Sequence, residues 1–350
     1  MSDVRRRKSQ SGPQERLPGA ALRGSAQEGD NGVVVPERFG FLLMPEFSML
    51  SFASMLEPLR MANRISKKLL YEWQLFSPDN GTIRPSNGIE FPPTRVLAAC
   101  QDIGTLIVVA GIQPLRHSSG ELQAWLRGLA RRGVRLGATS TGPLILARAR
   151  LLNGYKSTIH WENLDGFREQ YPGIEASEEL FECDRDRLTC SGGTAGLDLM
   201  LHLIELHHGK ALAHSVAEQC IHPRIRVAHD LQRMALPVRL SIDHPKLLAA
   251  VAQMETHLED PISCARLAEL VDLSQRQFER LFTARLGATP ARYYKQMRLE
   301  RAAGLLEQTA MSLLQIAIAC GFASTSHFSS SYEQQFGQSP KAARLQLKGN

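Results

Sequence analysis

The C-terminal third of this chain carries one pattern twice, and that doubling limits its fold more than any other feature. The first copy reads Ser274-x-x-x-Phe278-x-x-x-Phe282-x-x-x-x-Gly287-x-x-Pro290 and the second Ser324-x-x-x-Phe328-x-x-x-Tyr332-x-x-x-x-Gly337-x-x-Pro340, every element recurring fifty positions on. In each copy the serine can cap a helix and the two aromatics share one helix face; glycine stands where the chain must leave the helix, and proline opens the next one. A repeat at this period requires one structural unit used twice.

Upstream of each serine lies a short apolar helix candidate and a tight turn: Cys264 to Val271 before Asp272-Leu273, and Leu313 to Ala319 before Cys320-Gly321-Phe322-Ala323. Helix, turn and helix in this order is the helix-turn-helix signature. Leu267-Ala268 and Ile316-Ala317 supply a small residue where the helices of each unit cross. Each unit can therefore present its second helix to a DNA major groove, the plainer alternative being an all-α bundle that reads nothing. Opposite Phe278 and Phe282 the first such helix offers Gln275, Arg276, Glu279 and Arg280. Arg can bond guanine edges, Gln adenine and Glu cytosine, so this face can read sequence, above all through Arg276 and Arg280. The second helix offers Thr325, Ser326, His327, Ser329 and Ser330. Asp243 is expected to cap the supporting helix that begins at Pro245.

A chain of 350 residues is too long for one small core and suggests two domains. Its composition, 43% apolar and 22% charged, is that of a globular protein, and its net charge of +6 favours a polyanionic partner. From residue 244 onward 12 Lys and Arg stand against 9 Asp and Glu, so affinity for DNA should rest on placement more than on bulk charge. No apolar run approaches the roughly 20 residues that span a bilayer. Arg5-Arg6-Arg7-Lys8 has no apolar segment behind it and does not read as a secretory signal. Cys100, Cys183, Cys190, Cys220, Cys264 and Cys320 show no metal-ligand spacing, which points to free thiols in a reducing cytoplasm and to no metal or cofactor.

Residues 1–37, rich in Ser, Gly, Gln, Arg and Pro, read as a disordered tail. Beyond them Phe39 to Pro45 reads as a strand and Ser51 to Arg64 as an amphipathic helix. Tyr71 to Ser77 is a second strand, and Thr105 to Gly111 is a continuous apolar run of the kind a central parallel strand needs. Gly120 to Arg131 reads as a helix and Val134 to Ala138 as a further strand. Strands alternating with helices mean an α/β layered domain with a parallel sheet, here residues 38–226, joined by a connection at 227–243 to the all-α double helix-turn-helix domain at 244–350.

Within the α/β half, Gly137-Ala138-Thr139-Ser140-Thr141-Gly142-Pro143 takes a strand through a sharp turn straight into a helix, which would lift Ser140 above the carboxyl ends of the strands as in a nucleophile elbow. His160 follows twenty residues later in Thr158-Ile159-His160-Trp161. Together with Ser191-Gly192-Gly193-Thr194-Ala195-Gly196-Leu197-Asp198, these residues give Phe39 to Ile221 a resemblance to the PfpI-like, class I glutamine amidotransferase-like family, a flavodoxin-like fold. Enzymes of that family carry Cys at the elbow and a partner His in a Thr-x-His-Trp setting. Here Ser140 replaces the thiol, and an alcohol is a far weaker nucleophile unless a base and an oxyanion hole activate it. No clear carboxylate takes the third position, since Glu46 and Glu57 are near it in sequence only. The resemblance then implies a pocket that binds a small molecule without chemistry. Two readings stand beside it: an amidohydrolase or glyoxalase-like enzyme using Ser140 and His160 with an appended DNA-binding domain, and a His160 that merely packs in the core. A DNA-binding architectural protein would have no pocket at all.

The C-terminal region resembles an AraC/XylS-type DNA-binding domain, most specifically in Gly321-Phe322-Ala323-Ser324-x-x-His327-Phe328-x-x-x-Tyr332-x-x-x-Phe336-Gly337-x-x-Pro340. An elbow-bearing α/β domain ahead of it is similar to the subgroup called GlxA-type regulators. The resemblance implies a cytoplasmic transcriptional activator that binds promoter DNA, answers to a small-molecule inducer, meets RNA polymerase and can form a homodimer. Thr289 to about Gln308 would form one helix of roughly 18 residues, about 27 Å long, able to set two recognition helices on one DNA face. The family often has Arg where this chain has Ser330, so the first unit is expected to dominate specificity.

Phe41-Leu42-Leu43-Met44-Pro45-x-Phe47-Ser48, Glu57-Pro58-Leu59-Arg60-x-Ala62-Asn63 and Tyr71-x-Trp73 are similar to regulators of quaternary-amine catabolism, such as those for glycine betaine or carnitine; arginine-responsive regulators share the architecture. A quaternary ammonium is held by aromatic faces, which would be Phe47 and Trp161, with Trp73 a further candidate unless its strand buries it. A carboxylate would meet backbone N–H groups at the elbow. The expected ligand residues are thus Phe47, Ser140, Thr141, His160 and Trp161.

Overall fold

A computed structural model describes residues 35–349 apart from 80, 92–94 and 98–101; the expected tail up to residue 34, and Cys100, lie outside the described residues. The N-terminal half runs β1 (Glu37–Leu43), α1 (Met49–Ser66), β2 (Tyr71–Ser77), β3 (Arg95–Val96), β4 (Thr105–Val109), α2 (Gly120–Arg131), β5 (Arg135–Thr139) and α3 (Pro143–Arg148). It continues through β6 (Lys156–Thr158), α4 (Trp161–Gln170), β7 (Glu175–Ser177), β8 (Phe181–Asp184), β9 (Arg187–Cys190), α5 (Ala195–His208) and α6 (Lys210–Gln219). Seven strands form one sheet in the order β3-β2-β1-β4-β5-β9-β8, parallel except where β8 pairs antiparallel with β9 at the edge. Strands β6 and β7 pair apart from it.

Strand alternation sorts the core into two layers. Phe39, Phe41 and Leu43 of β1, with Ile107 and Val109 of β4, pack against Met55 and Leu59 of α1 and Leu199 and Leu203 of α5. Leu42, Met44, Leu106 and Val108 face the other way, onto Leu122, Leu126 and Leu129 of α2, Ile145 of α3 and Phe167 of α4. Both faces being covered, the central strands can be apolar throughout, and β4 is buried along its whole length.

The C-terminal half runs α7 (Leu236–Leu240), α8 (Pro245–Thr256), α9 (Cys264–Leu270), α10 (Gln275–Leu286), α11 (Pro290–Gln308), α12 (Leu313–Ala319), α13 (Thr325–Phe336) and α14 (Pro340–Gly349). Two units, α9–α10 and α12–α13, each close over their own core: Leu267, Phe278 and Phe282 in the first, Ile316, Phe328 and Tyr332 in the second. The repeated residues act locally as their chemistry dictates. Ser274 and Ser324 cap α10 and α13 by accepting from the amides of Gln277 and His327, while Gly287 and Gly337 end those helices at φ 69° and 73°. Helix α11 serves both cores, giving Tyr294 to the first and Leu299, Ala302 and Leu305 to the second. Gly321 holds φ +68° at the second turn, where a Cβ would stand 2.5 Å from Pro261, so a side chain there would push the units apart.

Two local expectations are corrected. The cap of α8 is His244, whose Nδ1 accepts from the Leu247 amide at 3.4 Å, one residue beyond Asp243. The stretch 227–243, aperiodic in sequence, contains the short helix α7, with Pro237 in its first turn and Leu236 and Leu240 holding it against the first unit's core. Among the described residues no helix is long and apolar enough to cross a membrane.

The halves touch where α4 meets α11. Arg301 Nε lies 3.1 Å from Asp165 as an ion pair, Gln308 Nε2 donates to the Glu162 carbonyl at 2.9 Å, and Gln170 Nε2 donates to the Gln308 carbonyl at 2.8 Å.

Candidate functional site

The end of β5 turns at Ser140, which holds a left-handed φ of 60°, a conformation rare for any residue with a side chain. Gly192 makes room for it: a Cβ at 192 would lie 2.9 Å from both Cα and Cβ of Ser140. The Ser140 amide donates to the Cys190 carbonyl at 3.0 Å and its carbonyl accepts from the His160 amide at 3.2 Å, so the elbow is pinned between β9 and the start of α4. Thr141 Oγ1 donates to the Gly111 carbonyl at 2.6 Å. The turn is thus an elbow, as its sequence indicates.

Its chemistry is not that of a primed nucleophile. Among the described residues no hydrogen bond joins the Ser140 hydroxyl to His160. Burial pushes the His160 imidazole below its ordinary pKa, and the Glu162 carboxylate, 3.7 Å from Nδ1, only partly opposes this. Glu57 is tied to Arg60 on α1. An alcohol with no engaged base among the described residues has nothing to take its proton.

Above the elbow opens a cavity of about 660 Å³. Ser140, Thr141 and His160 line it together, and the far wall belongs to the other half of the chain: Leu306 to Ala310, where α11 ends, and Arg344 of α14. That far wall had no signal in the sequence. Neither expected aromatic lines it. Phe47 is fully buried between Phe52 and Phe91, at centroid distances of 5.8 Å from each. Trp161 carries the Arg233 guanidinium 4.3 Å above its ring. Trp73 packs partly buried against the core beside α1. Of the elbow's backbone donors, the Ser140 and Gly142 amides donate to the Cys190 and Thr139 carbonyls.

On the helical half Gln275, Arg276, Glu279 and Arg280 are all exposed along α10, opposite buried Phe278 and Phe282. Gln275 Nε2 donates to Glu279 at 3.2 Å, while the two arginines stand clear on that face. On α13 Ser326, His327 and Ser330 are exposed and Ser329 is half-buried. Two arginines of α11 turn inward instead. Arg298 donates to the Gly321 carbonyl at 2.7 Å with its guanidinium 4.6 Å over Phe322, and Arg301 donates to the Ala319 carbonyl at 2.8 Å, so both brace the second unit.

Residues 267–346 match the helix-turn-helix domain family and residues 47–206 the DJ-1/PfpI family. The chain is 44% identical to the HTH-type transcriptional regulator CdhR of Pseudomonas aeruginosa, across 88% of this chain and 92% of that protein. It is 34% identical to the HTH-type transcriptional regulator GlxA of Rhizobium meliloti, across 88% of this chain and 95% of that one. The crystal structure of an AraC family transcriptional regulator from Pseudomonas putida superposes with TM-score 0.50 at 30% identity, covering 53% of this chain and 100% of its own. The chain belongs to the AraC-type transcriptional regulators that carry a DJ-1/PfpI domain. It binds DNA through the helical half, and the relatives are regulators rather than enzymes, in keeping with an elbow whose serine lacks an engaged base.

For the regulator's DNA face, Arg280→Ala is expected to weaken specific binding by about 1–3 kcal/mol and to relax preference at one operator position. Competition titrations on operator and random duplexes check this; an equal loss on both would make Arg280 a phosphate contact instead.

Proposed function

We propose that this regulator is ligand-responsive: a small metabolite of the quaternary-amine or amino-acid class occupies the elbow cavity and governs promoter recognition by the two helix-turn-helix units. The observation that carries the reading is the cavity itself, whose volume of about 660 Å³ suits a small molecule and whose wall is shared by both halves. Glu162 and Glu307 in the lining supply negative charge for a cationic group, a role that falls to them because among the described residues no aromatic ring lines the cavity apart from the His160 imidazole. Ser140, Thr141 and His160 form the floor. On this reading the output is activation of a catabolic operon, with RNA polymerase as the protein partner and a second copy of the chain on the operator.

Calorimetric titration of the full chain with glycine betaine, carnitine, sarcosine, choline and L-arginine tests the proposal. Saturable heat is expected for at least one of them, and silence with all five would overturn the ligand class. Ser140→Ala is expected to leave inducible transcription from a reporter promoter within about twofold of wild type, since a pocket that only binds needs no nucleophile. A hydrolase activity that vanishes in this variant would replace the sensor by an enzyme.

A further inference from the structure

Helix α4 carries a buried glycine in its interior, Gly166. Glycine weakens a helix because its backbone has the most freedom to lose, so its presence there calls for a packing reason. The helical half supplies one. A Cβ at 166 would lie 2.8 Å from Gln308 Oε1 and 3.3 Å from both Gln308 Cβ and Thr309 Cγ2, so the missing side chain leaves a notch that the end of α11 fills. Polar contacts close around the notch: Gln308 Nε2 donates to the Glu162 carbonyl, Gln170 Nε2 donates to the Gln308 carbonyl, and Asp165 pairs with Arg301. The same Arg301 donates through Nη1 to the Ala319 carbonyl, at the turn of the second helix-turn-helix unit. The first unit is tied to the α/β half by a different route. Gln232 Nε2 donates to Thr158 Oγ1 at 2.9 Å and to the Ile159 and Glu179 carbonyls at 3.1 and 2.9 Å, just ahead of Arg233 over Trp161.

Resting on the ligand-responsive reading above, we propose that the Gly166 notch is a latch: it seats α11 on α4, completes the ligand cavity and sets the second helix-turn-helix unit in its operator-binding placement. Glu162, Asn163 and Gln170 of α4 share the cavity with Leu306 to Ala310 at the end of α11, so an occupant touches both sides of the latch, and opening it removes the far wall. With the latch closed, Arg276 and Arg280 of α10 and Ser326, His327 and Ser330 of α13 are exposed, so the closed arrangement leaves the DNA faces free. Arg301 joins α4 to the turn of the second unit, so opening the latch frees that unit relative to the first, which the linker still holds. Ligand and operator thus both favour the closed latch, and by linkage each strengthens the binding of the other.

The test uses full-length Gly166→Leu, which fills the notch although residue 166 belongs neither to the cavity lining nor to a recognition helix. Asp165→Asn is the second variant; it breaks the pair with Arg301 at a half-exposed position and so spares the fold. Hydrogen exchange in peptides covering residues 299–310 is expected to speed up in Gly166→Leu. Its ligand-free affinity for operator should fall about 5–30-fold, with a smaller loss in Asp165→Asn, while affinity for random duplex stays within about twofold. Glycine betaine or L-arginine, whichever binds wild type in calorimetric titration, should bind Gly166→Leu about 10-fold or more weakly. Thermal unfolding reports whether Gly166→Leu is folded; if it is not, Asp165→Asn decides by the same measurements. Unchanged exchange, or operator affinity equal to or tighter than wild type, overturns the latch. Equal ligand affinity in wild type and variant overturns its coupling to the cavity. Silence of wild type with both probes counts against the ligand class, and the operator measurement then decides the latch by itself.

Discussion

Asp198→Ala is expected to destabilise the α/β half by about 3–5 kcal/mol, the cost of removing one partner from a buried ionic network. Asp198 sits in α5 with no exposed surface, and its carboxylate gathers the segment that leaves this half of the chain. His222 Nε2 lies 2.8 Å from one oxygen, which also accepts from the Arg226 amide at 2.7 Å; the other accepts from Arg226 Nε at 2.9 Å. The Arg226 guanidinium continues to Thr194 Oγ1 at 2.7 Å. Alanine would leave a guanidinium and an imidazole facing an empty acceptor site and would release the path toward α7. Since each kcal/mol moves the midpoint by about 2–4 °C in a domain of this size, thermal unfolding should fall by roughly 6–20 °C. A change under about 2 °C would mean that Arg226 and His222 find water or other partners, and that the clamp is not structural. Asp198→Asn, which keeps one carbonyl acceptor, should lose less.

Asp198 also shows what kind of signal a sequence holds. A carboxylate inside the apolar run Leu197 to Ile204 must be paired if the run is a buried helix, so the need for a partner is legible while the partner is not. The helix-turn-helix units are legible down to single residues because everything that defines them is local: cap, i to i+4 aromatics, terminal glycine. The central strands are legible because both faces are covered and the run is apolar throughout. Strands β6 to β9 are only three or four residues long, too short for a periodic pattern, and so resemble loops in sequence. At the cavity the elbow is local and was readable, but which aromatics surround it depends on packing. Phe47 is drawn into a cluster with Phe52 and Phe91, and Trp161 is covered by Arg233 from a segment some seventy residues on. Arg344 and Glu307 reach the cavity only because α11 docks on α4, a tertiary event that no motif in either half announces.

The two helix-turn-helix units should fail differently when the matching aromatic is removed from each. Phe282 is fully buried, with Phe278 at 4.9 Å and Tyr293 at 5.7 Å between ring centroids. Phe328 is its counterpart, fully buried with Tyr332 at 5.7 Å and Phe322 at 5.4 Å. Truncating either to alanine should cost about 3–5 kcal/mol, a large share of what so small a unit has to hold it folded. Stability losses should therefore be alike. DNA losses should not be, because the exposed face of α10 carries Arg276 and Arg280, able to bond guanine bidentately, whereas α13 presents Ser326, His327 and Ser330, which offer short single contacts. Phe282→Ala is expected to bring operator affinity down to that for random duplex, roughly a thousandfold or more. Phe328→Ala should weaken binding yet leave base preference intact over the half of the operator that α10 reads. Binding measured on operators mutated in one half at a time checks the contrast. If the two variants lose base preference equally, α13 reads sequence as strongly as α10 and the asymmetry inferred from their exposed residues is wrong.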